Sequence, residues 1–114
     1  MGTIYTAIAL FALAAILGMY LISFVLQSKE TPKAFAFIHG LFAATALVLL
    51  IVHTVNTNVD LIEAIVLFVI AALGGFIMII RDLTGKSVPK SLAVVHGLLA
   101  VSGFIFLLVY TFNK

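Results

Sequence analysis

The chain has 114 residues, of which 65% are hydrophobic and only 9% charged, with a formal net charge of +2. Soluble domains carry roughly 25% charged residues; so little charge cannot cover a surface in water, and lipid is the expected solvent. The absence of cysteine excludes disulfides, thiolate metal sites and cysteine nucleophiles, and the small charge, confined to breaks between apolar runs, excludes nucleic acid as a partner.

The first apolar run covers about 3–27. It begins almost at Met1, lacks a basic leading region and is longer than the roughly 7–15 residues of a signal-peptide core, so a membrane helix is expected rather than a cleaved leader. Met1-Gly2-x-x-x-Thr6 fits a myristoylation pattern, which is read as chance beside a membrane helix. Gln27-Ser28-Lys29-Glu30-Thr31-Pro32-Lys33 breaks the run, and the second span follows at about 34–55. The short polar connector Asn56-Thr57-Asn58-Val59-Asp60 leads to a third span at about 61–81. The segment from Arg81 to Lys90 separates it from the fourth, at about 90–112. Each run is long enough, at a rise of about 1.5 Å per residue, to cross a hydrocarbon core of about 30 Å. Pro32 and Pro89 each close a break, at the start of a helix where a missing N–H does no harm.

The two halves of the chain are a repeat. Residues 1–57 align on 58–114 without a gap, and 21 of the 57 pairs are identical. The densest match is Pro32-Lys33-x-x-Ala36-x-x-His39-Gly40-Leu41-x-Ala43 with Pro89-Lys90-x-x-Ala93-x-x-His96-Gly97-Leu98-x-Ala100. Each repeat holds two spans, so the repeats run parallel, related by an axis along the membrane normal rather than inverted. The expected fold is therefore all-α: one integral-membrane domain over 1–114, a four-helix bundle of two tandem helical hairpins, 1–57 and 58–114. Both basic loops then lie on one side with five of the six Lys and Arg residues, which puts those loops in the cytoplasm and both termini outside, in a bacterial inner membrane. Ala14-x-x-x-Gly18 recurs as Ala71-x-x-x-Gly75, a small-residue pattern that allows a tight helix crossing or leaves room for something bulky.

The candidate site lies on spans two and four. His39 and His53 are 14 residues apart, which returns to within about 40° of the same direction, roughly 21 Å along the helix. Ala36, Ala43, Ala46 and Leu50 share that stripe; in span four it reads Ala93, His96, Ala100, Gly103, Leu107 and Tyr110. A histidine inside a membrane span requires a partner and is a functional hypothesis by default. Ligation of one haem b by His39 and His96 meets several requirements together. The imidazoles supply lone pairs, the small residues Gly40, Ala43, Gly97 and Ala100 clear space, and Lys33, Lys90 or Arg81 could pair with the propionates. The second ring N–H of each histidine should be donated to a carbonyl one turn earlier, since Thr45 and Ser102 are too distant.

Histidines matched on two membrane helices, with a second 14 residues on in span two, among glycine and alanine, resemble the membrane cytochrome b family. The resemblance covers the stripes of spans two and four, roughly a third of the chain. It implies a b-type haem inside a four-helix bundle and electron exchange with a quinone or a partner redox protein, with His39 and His96 as axial ligands. Where that pattern would have a fourth histidine the chain has Tyr110, so a second, outer haem would need His53 with Tyr110, a tyrosine being a known ligand of ferric haem. His53, close to the outer interface, is expected to be solvated rather than a ligand.

An alternative from another class is a structural or accessory subunit of a larger membrane complex, or a homo-oligomer, in which the histidines bond a helix carbonyl or each other as a polar clasp. A third reading is a minimal proton channel or carrier. Glu63, in the first turn of span three, suits the helix N-terminus and is otherwise a candidate proton relay near His53. Arg81-Asp82 reads as a boundary marker, and Tyr5, Tyr20 and Tyr110 as interfacial aromatics. Phosphate-loop, dinucleotide and His-x-x-Glu motifs are missing from the sequence, which leaves nucleotide-driven and hydrolytic chemistry without residues.

Overall fold

The structure is a computed structural model and describes residues 2–113. Four helices, α1 (Gly2–Leu26), α2 (Lys33–Thr57), α3 (Ile62–Leu83) and α4 (Lys90–Phe112), make an all-α bundle. All four are long and apolar enough to cross a membrane, as an integral membrane protein requires. The bundle measures 43 × 22 × 19 Å, a length close to that of a bilayer with its headgroups, about 40–45 Å. The expected span limits agree with the observed helices to within a residue or two, because lipid leaves a helix no way to stop except where polar backbone can meet water.

The turns follow from their residues. Pro32 and Pro89, in extended conformation, cap the starts of α2 and α4. Ser28 and Gly85, equivalent in the repeat, both take positive φ (56° and 77°) to end α1 and α3. Asn58 terminates α2 in the left-handed region at φ 53°, a conformation that asparagine tolerates better than most residues. The hydroxyls of Thr6, Thr54, Ser102 and Thr111 each donate to the carbonyl four residues earlier, so these polar residues are satisfied within their own helices.

Helices adjacent around the bundle pack α1 on α2, α2 on α3, α3 on α4 and α4 on α1, with the two hairpins the most intimate pairs. Across the diagonals, contact falls to long side chains. Phe11 and Phe68, repeat equivalents on α1 and α3, stack at 4.0 Å with planes 6° apart, and Phe104 meets Phe11 edge-on. The Gly103 backbone lets the Phe68 ring lie against it; a Cβ there would sit 3.3 Å from three ring carbons.

Packing density is uneven along the bundle. The buried residues of α1 are Ile4, Ala7, Phe11 and Ala14, and those of α2 are Ala46, Leu50 and His53. In α3 they are Ala64, Phe68 and Ala71, and in α4 Ala93, Gly103, Leu107 and Thr111. Apart from Ala93, these lie between the bundle's middle and the end carrying the termini. The half next to the basic loops is less closed, and the histidine pair sits where the two regimes meet.

Candidate functional site

His39 on α2 and His96 on α4 come together across a diagonal of the bundle, ring centroids 6.1 Å apart and planes at 72°. They meet edge-on. Each ring is anchored within its own hairpin: Nδ1 of His39 lies 2.8 Å from the carbonyl oxygen of Ala14, and Nδ1 of His96 lies 2.7 Å from that of Ala71. A carbonyl can only accept, so Nδ1 carries a proton in both rings, which in the neutral imidazole leaves the lone pair on Nε2. The acceptors lie on the neighbouring helix, 25 residues earlier, and not one turn earlier on the same helix as expected from the sequence. The reason is geometric. The imidazoles project away from their own helices toward α1 and α3, where Ala14 and Ala71 have small side chains that leave the second lone pair of their carbonyls open to the neighbouring helix.

Gly18 and Gly75 complete each anchor. A Cβ on Gly18 would lie 3.1 Å from Cε1 of His39, and one on Gly75 would lie 3.3 Å from Cε1 of His96. The repeated Ala-x-x-x-Gly pattern therefore belongs to the histidines: the alanine presents the acceptor and the glycine admits the imidazole. The bulky group expected beside these small residues is the ring itself. Ala14 is the central residue of Gly2–Leu26, so each imidazole reaches from the basic-loop half of its own helix toward the middle of the neighbouring one.

The other expected site residues divide between inside and outside. Ala43 and Ala100, one turn beyond the histidines, are half-buried on the inner faces of α2 and α4. Gly40 and Gly97 have open space beside them, with no atom within 4 Å of an added Cβ. Lys33 is committed to an ion pair, its Nζ 2.9 Å from Oδ1 of Asp82, while the Thr31 hydroxyl donates to Oδ2 of the same carboxylate at 2.7 Å. Asp82 is thus more than a boundary marker, since it ties the α1–α2 loop to the end of α3. Arg81 donates through Nε to the Ser87 carbonyl. Lys90 makes no ion pair among the described residues and borders a cavity at the basic-loop end.

His53, expected to be solvated, is buried at 7% exposure, because its stripe continues the line of Ala46 and Leu50 into the densely packed half. Its repeat equivalent Tyr110 is half-buried and packs against the same apolar cluster. Glu63 is exposed in the first turn of α3, beside a shallow groove formed with Val66, Leu67 and Phe106. Tyr20 packs edge-on against Phe24 and Phe35, and Tyr5 stacks on Phe112.

Two imidazoles that share one metal ion hold their ring centres about 6 Å apart, from two metal–nitrogen bonds of about 2 Å and the distance from each nitrogen to its ring centre. The observed 6.1 Å has that magnitude. An Nδ1–H donated to a backbone carbonyl is also the arrangement by which proteins orient a ligating histidine. The donor set thus fits a group that would take one nitrogen from each of two histidines, which His39 and His96 would supply. A group of three or more His, Cys, Asp or Glu side chains suited to a bare metal ion is absent among the described residues. Comparison with known protein families, characterised proteins and solved structures gives no match.

Proposed function

We propose that the chain is a small b-type haem protein of the bacterial inner membrane, with basic loops cytoplasmic and termini outside, in which His39 and His96 are the axial ligands. The observation that carries this reading is the pair itself: two imidazoles from diagonal helices, 6.1 Å apart, each oriented by a carbonyl. Haem held there would supply one-electron chemistry, exchanged with a quinone or a partner redox protein. The chain's own residues do the rest. Ala14 and Ala71 fix the tautomer, Gly18 and Gly75 set the ring position, and the stacked Phe11–Phe68 pair closes the bundle on the terminal side. Only the histidine pair is needed for this reading; His53 and Tyr110 belong to the packed half.

A reduced-minus-oxidised visible spectrum of the purified protein, expressed with a haem precursor, tests the proposal. A sharp b-type α-band lost in both His39→Ala and His96→Ala is expected. A colourless protein refutes it. One observation favours the second reading, a structural subunit: each histidine already links the two helices of its hairpin, a role that needs no cofactor. Under that reading the histidine variants lose stability and nothing else.

A further inference from the structure

The repeat predicts an ion pair that the second half of the chain lacks. In the first relation, Lys33 at the start of α2 meets Asp82 at the end of α3 at 2.9 Å. Advancing each residue to its repeat equivalent puts Lys90 at the start of α4 against Val25 at the end of α1. The lysine is retained and the carboxylate is not. Val25 and Lys90 both border a cavity of about 560 Å³ at the basic-loop end, a size that accommodates a small ligand. Lys29 and Lys86 also line it, as do the hydroxyl residues Ser28 and Ser87; of its two carboxylates, Glu30 and Asp82, the latter is neutralised by Lys33.

We propose that this cavity binds a phosphate group, which supplies to Lys90 the negative charge that Asp82 supplies to Lys33. Three lysines and two serines border one space, residue types whose side chains donate to a multiply charged oxyanion, and charge-assisted hydrogen bonds of this kind are the strong ones. Its place at the end of four membrane-length helices gives the phosphate two sources, an anionic lipid headgroup or a soluble phosphate. Basic pockets at the ends of membrane helices commonly take the first. The site shares Lys90 with the expected propionate partners of the haem reading but does not rest on that reading, and its test needs no cofactor.

The test is thermal unfolding of the purified protein in nanodiscs. One arm adds inorganic phosphate to phosphatidylcholine discs, against chloride at equal ionic strength. The other replaces phosphatidylcholine with phosphatidylglycerol in the absence of phosphate. A raised midpoint in either arm is expected; the lipid arm alone identifies a headgroup site, the phosphate arm alone a soluble ligand, and both a site for either. Lys90→Gln, at an exposed helix start, should weaken the apparent affinity about tenfold or more, the loss of one charged hydrogen bond. Val25→Asp restores the missing carboxylate, and should raise the midpoint without ligand and abolish the response. No shift in either arm, or an undiminished response in Lys90→Gln, overturns the proposal.

Discussion

Gly18→Ala is the sharpest probe of how the histidine is held. The added methyl would lie 3.1 Å from Cε1 of His39, against ordinary carbon contacts of about 3.5–4.0 Å. Relief requires the ring to retreat by about half an ångström. That stretches the 2.8 Å bond to the Ala14 carbonyl toward the limit of a hydrogen bond, and interhelical bonds in lipid are worth about 0.6–1.7 kcal/mol. Overpacking adds about 1–3 kcal/mol, while alanine recovers up to about 1 kcal/mol of helix propensity. The net expectation is a loss of about 1–2 kcal/mol, and a smaller one for Gly75→Ala, where the contact is 3.3 Å. The measurement is reversible unfolding in mixed micelles, followed by circular dichroism, as a double-mutant cycle with His39→Ala. With the imidazole gone, the same Gly18→Ala change should become neutral or stabilising. An equal loss in both backgrounds would refute the claim that the glycine exists to admit the ring.

Gly40→Ala and Gly97→Ala should behave in the opposite way: with open space at both positions, each should stabilise by up to about 1 kcal/mol in the same unfolding assay. Phe68→Ala removes the stacked partner of Phe11 and should destabilise by about 1–3 kcal/mol, less than in a soluble core because lipid is itself apolar and only packing is lost. Asp82→Asn breaks the pair with Lys33, whose side chain is 40% exposed; the effect should stay below about 1 kcal/mol and shrink further in high salt, as unfolding at two ionic strengths would measure.

The hydropathy pattern carries the secondary structure because lipid admits few alternatives to a helix. The expected second span at about 34–55 and the observed Lys33–Thr57 differ only at their polar ends, where helices fray into water. The inward stripe was equally legible, since a period of about 3.6 residues fixes which of Ala46, Leu50, Gly103 and Leu107 share a face. That His39 and His96 lie at one depth follows from the gapless repeat alone.

What joins distant positions required the tertiary structure. Ala14-x-x-x-Gly18 and His39 are one device, but nothing local in the sequence connects a carbonyl to an imidazole 25 residues later. The signal was available in principle, because the same pattern precedes a histidine at the same interval in both repeats. The burial of His53 was missed for a related reason: nearness to the outer interface suggests exposure, whereas the bundle is closely packed at that end. Asp82 shows the limit most directly. Its role depends on Thr31 and Lys33, both about 50 positions away. Solvent choice, helix limits and the matched depth of the two histidines are fixed by local chemistry and symmetry. Their hydrogen-bond partners, their edge-on meeting at 6.1 Å and the unequal latches at the basic-loop end arise only when the four helices pack, because only then do backbone groups far apart in the chain come within bonding distance.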